Sequence, residues 1–82
     1  MAAEKTLSRN EIIESKVLIG LDLKEIKPKL GYWWICTSGR INSSTGEGVY
    51  VFERAGHGRV EIHTQYKQDN KGWYTNEVVK VL

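Results

Sequence analysis

After the first fifteen residues, hydrophobic and polar residues alternate with a period of two in the segments 17–23 and 59–66. Such alternation is typical of strands with one buried face. It predicts strands over about 17–23 and 59–66, and the apolar segments between turn signals predict three more, over about 31–41, 48–54, with both faces apolar, and 77–82. Strands of this length joined mostly by tight turns indicate a mainly β fold, a five-stranded antiparallel meander that curls into a small barrel.

A different pattern precedes the strands. Ser8 and Glu11 have the S-x-x-E spacing of a capping box, in which the two side chains satisfy backbone donors at the start of a helix. We therefore predict a short N-terminal helix over about 9–15, with Ile12 and Ile13 as its apolar contacts.

The segment 17–23 allows two interpretations. Strand alternation places four apolar side chains on one face: Val17, Ile19, Leu21 and Leu23. The alternative is one continuous helix over 9–26. Gly20 disfavours a helix interior, so the strand is the preferred interpretation.

Turn-forming residues separate the predicted elements. Pro28 and Gly31 mark a turn before the second strand. The segment 42–48, NSSTGEG, is the most turn-like of the chain and predicts a loop. Residues 55–58, AGHG, predict a tight hairpin, and 68–72, QDNKG, another turn.

The last eleven residues, from Gly72 to Leu82, resemble the close of an SH3-like small barrel. They hold an aromatic pair, a polar and acidic segment that fits a one-turn 3₁₀ helix, and a short valine-rich strand. The resemblance implies a small barrel of the kind that serves as an adaptor, regulatory or nucleic-acid-binding unit. The connection over 27–31 is much shorter than the loop with which SH3 signalling domains bind proline-rich peptides, so that activity is not expected.

Length and charge limit the function classes. Eighty-two residues form one small domain, which we place at 8–82 after a flexible lead-in of residues 1–7. Twelve Lys and Arg against ten Asp and Glu leave a net charge of only +2, well below the basic excess typical of duplex-binding proteins. No segment is long and apolar enough for a membrane span or a signal peptide. Together with a single cysteine, this predicts a cytoplasmic protein.

Residues able to carry catalysis are few. Cys36 is expected to be a buried small hydrophobe rather than a nucleophile. His57 in a hairpin tip and His63 on an outward strand face are expected to be solvated, and a metal site would require the fold to bring them together with Glu61. No phosphate loop or paired carboxylates are present. We predict a protein that is not an enzyme, with no cofactor and no metal.

The aromatic residues are the most informative set. Trp33 and Trp34 are adjacent, so in a strand they point to opposite faces and cannot both enter one core. The second tryptophan then needs another cover. It could lie under the N-terminal helix against Ile12 and Ile13, within a homodimer, or against a partner.

Arginines at predicted strand ends lie near these aromatics. The predicted partner-binding residues are Trp33, Trp34, Trp73, Tyr50, Arg40, Arg54 and Arg59. We predict a small non-catalytic interaction protein that regulates or inhibits a larger protein through this aromatic patch. The alternative is a single-stranded nucleic-acid-binding module that uses the same aromatics for base stacking. A cysteine enzyme is the third hypothesis.

Overall fold

A computed structural model describes residues 6–82 of the chain. It contains two short helices and one four-stranded antiparallel sheet with strand order β1-β2-β3-β4. The elements are α1 Arg9–Glu14, α2 Leu23–Leu30, β1 Ile35–Ile41, β2 Glu47–Arg54, β3 Gly58–Gln68 and β4 Tyr74–Val81. The predicted mainly β character is confirmed. Of the predicted lead-in, residues 1–5 lie outside the described residues.

The capping box at the start of α1 is confirmed. The Glu11 amide donates to the Ser8 hydroxyl oxygen at 3.2 Å, and the Ser8 amide donates to the Glu11 carboxylate at 3.1 Å. These bonds satisfy two backbone donors that a helix start leaves unpaired. Ile12 on this helix is fully buried, while Ile13 is half-buried at the margin of the core.

The predicted strand over 17–23 is wrong, and so is the alternative of a helix continuous to residue 26. The chain leaves α1 after Glu14 and passes through turns over 17–20. Leu18 is fully buried, whereas Val17 and Ile19, predicted to face the core, are about two-fifths exposed. The apparent alternation is a turn followed by the first residue of a second helix.

Helix α2 has signals of its own. The Lys24 amide donates to the Asp22 carboxylate at 2.8 Å, which caps the helix start. Ile26 and Leu30, four residues apart, are its buried face. Pro28 lies inside α2 and is exposed, so the missing N–H is on the solvent side, and the helix ends at a glycine with positive φ.

The sheet itself follows the predicted hairpins. The His57 amide donates to the Arg54 carbonyl at 2.9 Å and closes the β2–β3 turn. Val60 and Ile62 are fully buried on the predicted inward face of β3. Tyr66, predicted inward, is 43% exposed because the helices cover only part of that face.

The sheet is open, which corrects the predicted five-stranded barrel. Since residues 17–23 form no strand of the sheet, nothing pairs β1 with β4 among residues 6–82. Backbone bonds from the Gly20 amide to the Val78 carbonyl and from the Val78 amide to the Leu21 carbonyl, both 2.8 Å, place the turn segment beside Val78 on the β4 edge instead. The β1 edge has no neighbouring strand in the described part of the chain.

One apolar core joins the helices to one face of the sheet. Its buried members are Ile12, Leu18, Ile26, Leu30, Trp34, Phe52, Val60, Ile62 and Val78. Within residues 6–82, no helix has the length and apolar character that a membrane crossing requires. The sheet face away from the helices is called the outer face below.

Candidate partner-binding site

The adjacent tryptophans have opposite environments. Trp34 is fully buried in the core, and its indole N–H donates to the Leu7 carbonyl at 2.7 Å. Trp33 is 62% exposed and has a T-shaped ring contact with Tyr32, itself 79% exposed. Trp34 is therefore unavailable to a partner, although it was among the predicted binding residues. Trp33 does not lie under the N-terminal helix.

Trp33 borders a groove of about 520 Å³ at the β2–β3 hairpin end of the molecule. We call it the Trp33 groove. Its lining residues are Trp33, Ile35, Glu53, Arg54, Ala55 and His57. The groove combines an exposed aromatic ring and an exposed isoleucine with one acidic and one basic residue. Such a mixture suits the anchor residues and charged rim of a protein interface.

The strand register positions the groove walls. Ile35 at the start of β1 lies opposite Glu53 of β2, which lies opposite Arg59 of β3, so all three share the outer face. Ile35 is 60% exposed there. Arg54 follows Glu53, and its Nη1 donates to the Leu7 carbonyl at 3.3 Å. This bond fixes the guanidinium beside Leu7, whose carbonyl also accepts from the Trp34 indole.

The other predicted residues are dispersed. Trp73 is 71% exposed in the β3–β4 turn, next to Tyr74, which pairs with Gln68. Gln68 and Arg59 are nine residues apart on β3, which is about 30 Å at strand rise. Trp33 and Trp73 therefore belong to opposite ends of the sheet and cannot form one patch.

Three of the predicted residues lie between or beside these ends. Tyr50 is half-buried on the helix-facing side of β2, and Arg40 is exposed on the outer face of β1 opposite Val49. Arg59 is exposed and places Nη2 3.9 Å from the Glu61 carboxylate. Of the predicted set, the structure brings only Trp33 and Arg54 into one site.

Ile35 and His57 also line the groove but were not predicted to bind. Ile35 lies two residues after Trp33, a spacing that places both on one face of the predicted strand 31–41, although β1 begins at Ile35 and Trp33 lies in the turn before it. His57 was predicted only as a solvated hairpin residue. Its place beside Trp33 depends on the β1–β2 register, which residue spacing alone does not fix.

A second aromatic surface was also missed. Tyr66 and Tyr74 stack with parallel rings whose centroids are 4.8 Å apart, and both are about half exposed. They are diagonal neighbours on β3 and β4, next to Trp73. This contact could be expected from the predicted turn at 68–72, because a hairpin turn there brings Tyr66 and Tyr74, on its two sides, close together.

The predicted burial of Cys36 is wrong. Its thiol lies on the same sheet face as buried Phe52, but β1 is an edge strand beyond the helices, so Cys36 is exposed. His63 Nε2 lies 3.5 Å from the Glu61 carboxylate on the outer face. His57 lines the separate Trp33 groove, and no group of three or more metal-ligating side chains occurs among residues 6–82.

Comparisons with protein-family models, curated proteins and solved structures find no match to this chain. The SH3-like resemblance of the C-terminal segment stays a prediction that no relative tests.

Proposed function

We propose that this chain is a small interaction protein that binds a larger protein through the Trp33 groove and thereby regulates or inhibits it. The observation that carries the proposal is the 62% exposure of Trp33 beside exposed Ile35 in a groove rimmed by Arg54. Water-exposed tryptophan is costly, and tryptophan and arginine are the residues most often responsible for binding energy at interfaces.

The charges of the groove support a protein partner over a nucleic acid. Within a single chain, Arg54 is balanced by Glu53, so the groove of that chain has no excess of positive charge for phosphates. Arg54 is tethered through Leu7 and is suited to a partner carboxylate, with Trp33 as the apolar anchor. The exposed thiol of Cys36 agrees with a reducing compartment, so we propose a cytoplasmic partner.

The tyrosine stack supports the alternative, binding of single-stranded nucleic acid. Tyr66, Tyr74 and Trp73 expose ring surface within one end of the sheet. Lys67 is nearby, but its ammonium pairs with Glu77 at 2.9 Å, which reduces its availability to phosphate. This alternative therefore depends on stacking more than on charge.

The test uses two matched single substitutions at exposed tryptophans. A protein retained by the immobilised wild-type chain is purified and titrated calorimetrically against wild type, Trp33→Ala and Trp73→Ala. We expect Trp33→Ala to weaken binding at least about thirtyfold, as for an interface hot spot, and Trp73→Ala to leave it unchanged. Equal affinities for all three chains would reject the Trp33 groove.

Oligonucleotide titration tests the alternative. A mixed single-stranded pool is added to the chain while the three indole N–H signals are followed at two salt concentrations. A shift of the Trp73 signal that fades at high salt would favour nucleic acid, because counterion release weakens such binding as salt increases.

A further inference from the structure

The free edge of β1 directs particular backbone groups toward solvent. The Asn42 amide donates to the Glu47 carbonyl at 2.7 Å, so this pair belongs to the hydrogen-bonded set between β1 and β2. Since bonding alternates along an antiparallel strand, Arg40 and Ser38 also bond to β2. Gly39 lies between them, and its N–H and C=O therefore point away from β2.

Cys36 directs its backbone groups to the same edge. The Tyr66 amide donates to the Gly46 carbonyl at 2.8 Å, and the β2–β3 register runs without a shift. Even-numbered residues of β2 therefore bond to β3. Phe52 is one of them and lies opposite Cys36. Cys36 has no backbone bond to β2, so its N–H and C=O point to the free edge.

A bulge sets an unusual spacing between these groups. Thr37 has no partner residue in β2. The outward-directed residues Cys36 and Gly39 are therefore three positions apart, whereas a regular strand presents outward groups at every second residue. A regular strand does not match this spacing, which is how bulges protect sheet edges. An inverted copy of β1 has the same spacing and does match it.

We propose that β1 pairs antiparallel with β1 of a second copy of this chain, about a two-fold axis between Thr37 and Ser38. Cys36 then lies opposite Gly39 of the second copy, and the symmetry repeats this pair. Both residues belong to the same sheet face, since their β2 neighbours are Phe52 and Tyr50, two residues apart. Facing residues of an antiparallel pair share a face, so the register is consistent in side-chain direction as well.

The same register gives charge complementarity on the outer face. It places Arg40 of the second copy opposite Ile35, whose neighbour on β2 is Glu53. The Cα atoms of Arg40 and Glu53 are then two strand spacings apart, about 10 Å, within reach of the two long side chains. Symmetry provides this contact twice, and no like charges face each other.

The pairing also completes the Trp33 groove. Within one copy, Arg40 lies five residues from Ile35 along β1, about 16 Å at strand rise. From the second copy, Arg40 joins the wall formed by Trp33, Ile35 and Glu53. The dimer presents two such grooves on one face of an eight-stranded sheet. The pairing is inferred from the strand edge alone and does not require that the groove bind the proposed partner.

The test combines sedimentation equilibrium with amide hydrogen exchange by NMR, on the full chain in reducing buffer over a dilution series. We expect a dimer whose Cys36 and Gly39 amides become protected as concentration rises. A monomer at every concentration, or a dimer in which these two amides exchange as fast as in the monomer, would overturn the proposal.

Two sets of variants test the register. Cys36→Pro removes an outward N–H without removing a bond to β2, and we expect the dimer dissociation constant to rise about tenfold or more. Arg40→Glu places two carboxylates together, and we expect about fivefold weaker dimerisation. Arg40→Glu with Glu53→Arg restores opposite charges and should recover wild-type affinity. If this double variant is as weak as Arg40→Glu, the proposed register is wrong even where Cys36→Pro fails to fold.

Discussion

The Cδ1–Cε1 side of the Tyr50 ring packs closely against Gly39 of the neighbouring strand. A Cβ atom at Gly39 would be 2.7 Å from Cδ1 of Tyr50, well inside van der Waals contact. We expect Gly39→Ala to lower the free energy of unfolding by about 1–3 kcal/mol, since the ring must move from its packed position. Urea denaturation of the two chains measures the difference.

A double-mutant cycle separates this ring contact from other effects of the alanine. In a Tyr50→Ala background, the added methyl group at position 39 meets no ring, so Gly39→Ala should cost much less. An equal cost in both backgrounds would show that the Tyr50 contact is not the cause.

The two adjacent tryptophans should differ in their contributions to stability. Trp34→Ala removes a fully buried side chain and its bond to the Leu7 carbonyl, and we expect a loss of about 3–5 kcal/mol in the free energy of unfolding. Trp33→Ala changes an exposed position and should stay within about 0.5 kcal/mol of wild type. Comparable losses in the two variants, measured in guanidinium titrations, would contradict the assigned environments.

Indole hydrogen exchange gives an independent reading of the same assignment. The Trp34 N–H is bonded and buried, so its NMR signal should persist after transfer to deuterated water. The Trp33 and Trp73 signals should disappear rapidly because both side chains are largely exposed. Rapid loss of all three signals would indicate that the core around Trp34 opens readily.

Helix α2 should depend on its N-cap. Asp22→Ala removes the acceptor of the Lys24 amide, and we expect a loss of about 0.5–2 kcal/mol in unfolding free energy. Asp22→Asn is the matched control, since its side-chain oxygen also caps helices well and its stability should be near wild type. If Asn is as damaging as Ala, the carboxylate charge rather than the cap is responsible.

The hairpins and the capping box could be predicted because their signals are local. The turn at His57 joins β2 directly to β3, so the alternating residues of β3 follow within a few positions of the turn signal. Ser8 and Glu11, which form the capping box, are only three residues apart. Helix α2 is not predicted because Leu21 and Leu23 fit a period of two and Pro28 is typical of a turn. The N-cap at Asp22 and the four-residue spacing of Ile26 and Leu30 indicate a helix, but this signal is no longer than the period-two pattern that indicates a strand.

The site was only partly predictable. The sequence required Trp33 and Trp34 to face opposite ways, but which of them enters the core depends on which sheet face the helices cover. Which sheet face the helices cover depends on tertiary packing, and so does the exposure of Cys36 on an edge strand. Trp73 could not be separated from Trp33 before the strand order was known, since the distance between them follows from the length of β3.

The backbone bonds that join Gly20 and Leu21 to Val78 have a consequence for assembly. A sheet with two open edges can add neighbours without end and grow into a fibre. Here the bonds to Gly20 and Leu21 occupy the N–H and C=O of Val78 within β4, so a further strand could pair along that edge only by displacing them, whereas the β1 edge has no neighbouring strand among residues 6–82. The turn before α2 thus disfavours open-ended growth of the sheet through β4.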